Sequence, residues 1–444
     1  MLEQGVKIMK FSRALMSAGL LLGAYPAAAG ITVTDDPILF WNDLAVKSVG
    51  GSAPAQARTI AMMNAAMYDA VNRAGNGHGR YYNLGVSAPG GDARAAASQA
   101  AHDVLVAVNP SQAATYDAAL GSSLALVGAG AAKAKGVATG AAYASAMLAA
   151  RSSDGSTTVV NYVPGSLPGQ WRPTPPGYAP AAVPQWGGVT PFLMTSGSQF
   201  RPAPPPSLDS AEYLAAYNEV KEIGSATSAT RTADQTNSAL FWDASNGTTW
   251  IRIGVDVIAD DGLSTFANAQ VMAKLSTAVA DSLIAGFDAK YTYNFWRPVT
   301  AIREGDMDGI AGTVGDPSWN PLFTTPAHPS YVSTHSMQSG AASTVLLSLV
   351  QDQAFCDTIG PDTRCFTGIG QAAQDAANSR LWGGIHFRFD NEIGLATGQA
   401  IGQWALNQPA FNAVPEPTSW ALMIMGFGLT GGVLRRRSVR VAFG

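Results

Sequence analysis

The sequence predicts an all-α protein in which a long proline-rich connector joins two helical bundles. Apolar residues recur every three or four positions on both sides of that connector, which is the period of a helix with one buried face. Alternating strand patterns occur only in fragments such as 31–34 and 157–160. Of the 444 residues, 47% are hydrophobic and 13% are charged, a composition that excludes general disorder and is sufficient for a large core.

Charge and cysteine content narrow the classes of function. The formal net charge of −4 argues against nucleic acid as a partner, because binding phosphate groups needs a basic surface. An anion site therefore requires a local concentration of Lys and Arg. Cys356 and Cys365 are too few for a disulfide framework or a four-thiolate metal site. We expect them to pair across a short loop in an oxidising compartment and to stay free in the cytosol.

Residues 1–29 have the layout of a secretory signal peptide. Lys7, Lys10 and Arg13 precede an apolar stretch over 14–25, and three alanines end at Ala29. We expect cleavage after Ala29, in preference to an N-terminal helix packed in the core.

The region over 30–150 is predicted to be helical. Within 57–74, Ile60, Met63, Met67 and Val71 mark one face at helical spacing. Further helices are expected over 93–120 and 129–151. The last of these is rich in Ala and Gly, which lets its backbone approach neighbouring helices closely.

The connector is predicted over 151–209, and a second bundle over 210–410. Twelve of the 26 prolines lie between Pro164 and Pro206, a density that forbids long helices and central strands. Helical periodicity returns over 210–224, 264–285 and 334–350.

The tail over 414–444 carries a second targeting pattern. A Pro-Glu-Pro triplet precedes Trp420, an apolar run to Leu434 and three arginines. This arrangement resembles the PEP-CTERM sorting signal of bacteria. The resemblance implies an exosortase-type sorting protease as partner and transient membrane association through this segment. It further implies export to the periplasm, outer envelope or extracellular matrix of a Gram-negative bacterium.

Candidate chemistry is concentrated between residues 290 and 390. Three of the five histidines fall there, accompanied by three candidate cations in a chain otherwise poor in charge: His328, His335, His386, Lys290, Arg297 and Arg380. Lys290 and Arg297 are seven positions apart, two helical turns, so we expect both cationic heads on one helix face. Two cations facing one way suit a multiply charged oxyanion. The plain alternative is a solvated helix face.

A second pair lies near the end of this window. His386 and Asp390 are four apart on a predicted helix, so the carboxylate is expected to accept the Nδ1 proton and leave Nε2 with a lone pair. His386 is therefore a candidate nucleophile or oxyanion ligand, and a surface pair is the alternative. Gly383 and Gly384 are expected to turn the chain so that Arg380 converges on the same centre.

The middle segment, 328–335, contains two histidines and a predicted helix start. Ser333 is predicted to be the N-cap, and backbone N–H groups at such a terminus bind anions. His335, in the first turn, can give or take a proton. A structural histidine and a simple cap are the alternatives. A zinc site formed by His328, His335, His386 and Asp390 is disfavoured, because three nearby cations would oppose a dication.

Together these spacings resemble a three-part family signature. Six residues separate Lys290 from an Arg297-Pro298 pair, and Ser333-Thr334-His335 forms the middle part. In the last part, five residues separate Arg380 from His386, and three separate His386 from Asp390. The pattern is similar to that of the type 2 phosphatidic acid phosphatase and vanadium haloperoxidase superfamily. Segments 61–72, 201–206 and 231–242 also resemble bacterial vanadium-dependent relatives. The chain departs from the family at Thr334, where the family usually has Gly.

The resemblance implies vanadate as cofactor and assigns a role to each residue. Three cations would neutralise its equatorial oxygens: Lys290, Arg297 and Arg380. Ser333 and the Thr334 N–H would hydrogen-bond them, His386 Nε2 would bind vanadium, and His335 would be the acid–base residue. Hydrogen peroxide would then oxidise halide to hypohalous acid. His328 stands where the bromoperoxidases of the family carry a second histidine, so bromide or iodide is expected over chloride.

Two other functions stay open on the sequence. Phosphate shares the charge and near-tetrahedral shape of vanadate, so a soluble acid phosphatase could use the same residues. His386 would then attack a phosphoester to form a phosphohistidine, and His335 would protonate the leaving alkoxide. The third is an inactive envelope or matrix protein, which the sorting signal and Thr334 suggest.

Overall fold

The computed structural model describes residues 32, 33, 36–75, 81, 91–244 and 246–411. The predicted signal peptide, the tail over 414–444 and most of the fragment 31–34 lie outside these residues.

The N-terminal helices pack through small residues. One predicted helix, 93–120, is two helices, because Asn109 leaves helical geometry and Pro110 follows it. The expected close approach of the Ala/Gly-rich helix is confirmed, since a Cβ at Gly140 would lie 2.4 Å from the Ala96 carbonyl oxygen. The helices of this half are α1 (Pro37–Ser48), α2 (Ala53–Ala74), α3 (Ala93–Val108), α4 (Ala113–Ala125) and α5 (Ala131–Arg151).

The connector is a chain of turns with one short 3-10 helix, Trp186–Gly188. The fragment 157–160, where the sequence alternates, forms no strand, because that segment runs over the surface and Val159 is 94% exposed. Buried Asp281 ties the connector to the second bundle by accepting the N–H groups of Phe192, Leu193 and Met194. The division into domains at 150 and 210 stays a prediction.

The C-terminal helices surround one long helix, α9, which contacts both α2 and α11. Its predicted range, 264–285, falls eight residues short of its end at Tyr293. The helices of this half are α6 (Ala211–Ile223), α7 (Ala233–Asp243), α8 (Thr249–Asp261), α9 (Thr265–Tyr293), α10 (Pro298–Arg303), α11 (Thr334–Leu349), α12 (Ile369–Trp382) and α13 (Arg388–Asn407).

One hairpin interrupts this helical order. Strands β1 (Phe355–Ile359) and β2 (Asp362–Phe366) pair antiparallel, with Cys356 opposite Cys365 and joined to it by a disulfide. No hairpin was predicted here, but the predicted fold class, all-α, is confirmed. Within the described residues, no helix has the length and apolar character that a membrane-spanning segment needs.

Candidate active site

Five separate segments of the second half bring charged side chains to one buried cluster. Lys290 lies in the last turn of α9, Arg297 is the N-cap of α10, and Ser333 is the N-cap of α11. Arg380 lies in the last turn of α12, and Asp390 in the first turn of α13. Arg297 lies 3.1 Å from His386 Nε2, and Ser330 joins Lys290 to the same imidazole, with its carbonyl 2.8 Å from Lys290 Nζ and its Oγ 3.4 Å from His386 Nδ1.

Lys290 and Arg297 do not share a helix face, so that expectation is wrong. The α9 helix ends at Tyr293, and Asn294 adopts the left-handed conformation (φ 50°) that turns the chain. Arg297 is therefore extended and separate from the helix that carries Lys290. Nevertheless both cations are buried. Lys290 Nζ donates to the carbonyl oxygens of Pro329 and Ser330 at 2.9 and 2.8 Å.

Arg297 hydrogen-bonds both carbonyl groups and imidazole rings of the site. Its side chain is fully buried and donates to the carbonyl oxygens of Ile385 at 2.7 Å and His328 at 2.9 Å. Two further N–H groups meet imidazole nitrogens, at 3.1 Å from His386 Nε2 and 2.9 Å from His328 Nδ1. One guanidinium thus positions both histidines.

These contacts fix both tautomers. A guanidinium can only donate, so His386 Nε2 and His328 Nδ1 must be the nitrogens with lone pairs. His386 therefore carries its proton on Nδ1 and donates it to Asp390 Oδ2 at 2.8 Å. His328 carries its proton on Nε2, so its 3.2 Å approach through Nδ1 to the Pro329 carbonyl is not a hydrogen bond.

The contact between His386 and Asp390 arises differently from the prediction. His386 precedes α13 instead of lying on it, while Asp390 caps the helix by accepting the Phe387 N–H at 3.2 Å. The Ser330 hydroxyl also donates to Asp390 Oδ2. No role was predicted for Ser330, since a lone serine in a loop carries no signal beyond its proximity to His328 in sequence.

Arg380 lies on the other side of the cluster. It donates to the Trp242 carbonyl at 3.1 Å, approaches Asp243 at 3.6 Å and lies 5.1 Å from the centre of the Phe323 ring. Its Nε is buried and has no hydrogen-bond partner among the described residues. Gly384 adopts a positive φ of 76° directly after the helix, as the predicted turn requires.

The start of α11 completes the site. Ser333 is the N-cap, as predicted, and its backbone N–H donates to the Asp390 carbonyl at 3.0 Å. Its Oγ accepts from the Ser336 N–H and hydroxyl, which leaves the Ser333 hydroxyl proton for another acceptor. Thr334 is 7% exposed, and His335 in the first turn is close enough to His328 to lower its pKa.

Burial shifts the pKa values of the ionisable side chains in the cluster. Loss of water lowers the pKa of Lys290 well below its usual range, that of Arg297 to about 9 and that of Arg380 to about 10. Burial and these cations lower the pKa of His386, which is therefore neutral at pH 7. Burial raises the pKa of Asp390 to about 6, against the opposing effect of Ser330 and the cations.

The net charge of the cluster suits an anion better than a metal cation. Three buried cations face one buried carboxylate and the exposed Asp243. In the described part of the chain, no three His, Cys, Asp or Glu side chains are grouped so that they could hold a metal ion. The fold and the cluster together describe an all-α protein in which cations and imidazoles are grouped in the buried interior.

Comparisons with known proteins agree with this class. A family model described as the VCPO second helical-bundle domain matches residues 270–411, and one for the PEP-CTERM protein-sorting motif matches 413–438. A vanadium-dependent bromoperoxidase of Ascophyllum nodosum is 28% identical over 193 residues, 40% of this chain. The match spans only 30% of that relative's length.

Solved structures extend the likeness to most of the chain. A bacterial vanadium-dependent iodoperoxidase superposes with a TM-score of 0.72 and 27% identity, covering 86% of this chain and 97% of its own. The apo and holo forms of a bacterial vanadium-dependent chloroperoxidase give 0.64 and 0.62 at 18% identity. They cover 81% and 86% of this chain and 95% and 93% of their own, and show the fold alone.

These matches confirm both resemblances found in the sequence. The chain has the fold of the vanadium haloperoxidase and type 2 phosphatidic acid phosphatase superfamily. Its C-terminal segment is a PEP-CTERM sorting motif, which indicates export in a Gram-negative bacterium.

Proposed function

We propose that this protein is an exported vanadate-dependent haloperoxidase that uses hydrogen peroxide to oxidise bromide or iodide to hypohalous acid. The observation that carries the proposal is the neutral imidazole of His386. Its Nε2 lone pair faces a buried guanidinium, and its Nδ1 proton is held by Asp390. An imidazole in this state is a ligand for an electrophilic centre.

The residues present fit a bound vanadate. The cationic charge of the pocket exceeds its acidic charge, so a multiply charged anion would be stabilised there. Arg380 Nε and the Ser333 hydroxyl are donors without an acceptor among the described residues. Lys290, Arg297 and Arg380 would hold the anion, and His386 Nε2 would coordinate it.

Side chains of this protein would supply the functions that bound vanadate does not. Bound vanadate contributes Lewis acidity, which activates peroxide oxygen without a change of metal oxidation state. Asp390 holds the His386 proton on Nδ1, so Nε2 stays available. His335 is the acid–base residue, because the overall conversion of peroxide, halide and one proton into hypohalous acid and water needs a proton donor.

His328 supports the halide preference. Its Nε2 proton is a hydrogen-bond donor, since Nδ1 accepts from Arg297, and its ring packs edge-on against Phe287 at 5.3 Å. The relatives named above include a bromoperoxidase at 28% and an iodoperoxidase at 27% identity, whereas the chloroperoxidase is 18% identical. We therefore place bromide and iodide ahead of chloride.

Three observations support export. The sorting motif over 413–438 implies an exosortase-type partner, and residues 1–29 have the pattern of a signal peptide. The disulfide between Cys356 and Cys365 suits an oxidising compartment.

The test uses the purified chain with and without added vanadate. Peroxide-dependent halogenation of a phenol dye is measured with bromide, iodide and chloride in turn. Vanadate-dependent activity with bromide or iodide is expected. Hydrolysis of an aryl phosphate without peroxide, together with no halogenation, would instead support the acid phosphatase. Silence in both assays, with no vanadate bound, would support the inactive envelope protein.

A further inference from the structure

Thr334 stands at the entrance to α11, one residue beyond the N-cap. Its neighbour Ser333 donates its backbone N–H to the Asp390 carbonyl, so Thr334 lies beside the His386–Asp390 pair. Related proteins usually have glycine here. A side chain at this position must therefore be accommodated without displacing the start of the helix.

Gly286 on α9 provides the space. A Cβ built at Gly286 would lie 2.7 Å from Thr334 Cγ2 and 3.3 Å from Met337 Sδ. Real Cβ atoms essentially never approach another heavy atom to 2.7 Å, so a residue larger than glycine at position 286 would displace the Thr334 methyl group. The Thr334 methyl group thus occupies the volume that a side chain on α9 would otherwise fill.

The direction of the methyl group constrains the hydroxyl. The two substituents of a threonine Cβ diverge at a tetrahedral angle, so a methyl directed at α9 turns Oγ1 away from α9. Within the described residues the Thr334 hydroxyl has no hydrogen-bond partner, and it is not one of the fully enclosed polar atoms. It therefore lies at the accessible 7% of the residue and has a proton to donate.

We propose that Thr334 supplies its side-chain hydroxyl as an additional hydrogen-bond donor to the bound oxyanion, and that Gly286 makes this orientation possible. This inference rests on the proposed anion pocket. Thr334 then contributes both a backbone N–H and a hydroxyl, where glycine contributes the N–H alone. The pair Thr334 and Gly286 is thus a determinant of oxyanion affinity.

Two matched pairs of variants isolate the hydroxyl. Thr334→Val keeps the size and the methyl group, and Thr334→Ser keeps the hydroxyl alone, with Thr334→Ala as its partner. Affinity for inorganic phosphate and for vanadate is measured by titration calorimetry on the full chain. We expect Val to bind each anion roughly tenfold to a hundredfold more weakly than Thr, and Ala similarly more weakly than Ser, as for hydrogen bonds to charged groups.

Thr334→Ser is expected to stay within roughly threefold of wild type, because it keeps the donor. Should Thr334→Val fail to fold, the Ser and Ala pair decides the question. Equal affinity within both pairs would overturn the inference and leave the anion pocket intact. If the wild-type chain binds neither anion, the proposed function fails as well, and this outcome is distinguishable from the first.

Gly286→Ala tests the other half of the pair. The added methyl is expected to push Thr334 Cγ2 aside and weaken phosphate binding, whereas Thr334→Ser in the same chain removes that methyl and restores affinity. Additive effects of the two changes would contradict the compensation.

Discussion

At the scale of single residues, Arg297 determines which chemistry the two nearest histidines can perform. It donates to one nitrogen on each ring, so both imidazoles are neutral and each has a defined tautomer. The His386 lone pair is on Nε2, where it accepts from Arg297, whereas His335 lies in the first turn of α11 and is not bonded to Arg297. Binding and proton transfer are thereby assigned to different histidines.

Replacing these two histidines should separate the assignments. His386→Ala is expected to abolish vanadate binding, because it removes the imidazole whose Nδ1 proton is held by Asp390 and whose lone pair is therefore on Nε2. His335→Ala should retain binding and lower kcat by roughly a hundredfold or more, the usual contribution of a general acid. Vanadate titration followed by steady-state kinetics measures both. Equal retention of vanadate by the two variants would reject the assignment.

Ser330 is the residue at this scale that the sequence did not single out. Its hydroxyl donates to Asp390 Oδ2 and its carbonyl accepts from Lys290, so it links the carboxylate to a cation of the pocket. Ser330→Ala removes only the hydroxyl contact. We expect vanadate affinity to fall roughly tenfold, the lower end of the range for a residue that orients a ligand, and Asp390→Ala to cost up to about a hundredfold.

Ser330→Thr keeps the hydroxyl and should restore most of the affinity. Ser348→Ala, on the exposed end of α11, is the matched control and should change nothing measurable. An affinity of Ser330→Ala equal to that of wild type would show that Asp390 needs no help from the serine.

At the scale of elements, the pocket depends on how closely α11 and α13 approach each other. These helices carry Ser333 and Asp390 at their N-termini, and glycines on α13 face the backbone of α11. A Cβ at Gly398 would lie 2.0 Å from the Met337 carbonyl oxygen, a backbone atom that cannot move aside. The relative position of the two N-termini is therefore set about two helical turns away from the chemistry.

Gly398→Ala should therefore separate α11 from α13. We expect a loss of stability of about 1–3 kcal/mol, as for overpacking in a rigid core, and a lower Tm. Gly370→Ala on the exposed side of α12 meets only a side-chain atom at 3.9 Å and should be neutral or slightly stabilising through helix propensity. Thermal unfolding of both variants checks the contrast, and equal melting temperatures would contradict it.

At the scale of the whole molecule, the ranges of the helices could be predicted from the sequence better than the contacts that bring the site residues together. Long periodic stretches such as 334–350 match α11 within one residue, because burial of one face leaves a repeating signal. Lys290 and Arg297 were expected on one helix, but Asn294 ends that helix, and the two cations meet only through the path of the following loop. Loops that come together in the fold have no repeating pattern of hydrophobic residues, so the sequence does not indicate that they meet.

The hairpin and Ser330 were not predicted because neither produces a periodic pattern in the sequence. The hairpin at 355–366 has strands of five residues each, too short for alternation to be distinguished from chance. Ser330 sits in a loop whose conformation depends on Phe295 and Lys290, both more than 30 residues away in sequence. The nine residues proposed for the site, by contrast, follow from residue type and spacing together with the family resemblance those spacings carry, and Lys290, Arg297 and His386 lie together in the fold.

The disulfide makes a whole-molecule prediction about compartment and stability. Cys356 and Cys365 close a loop of nine positions, and the hairpin they join is anchored by Asp357 to Arg252 and by Arg364 to Asp375. Replacing both cysteines by serine should lower the free energy of unfolding by about 2–3 kcal/mol, the value that loop-closure entropy gives for a loop of this size. Urea unfolding under non-reducing conditions measures it. Chain isolated from the periplasm should show no free thiol under denaturation, whereas reduced chain should show two and match the serine variant in stability. Free thiols in periplasmic protein would contradict both the pairing and the oxidising compartment proposed for this chain.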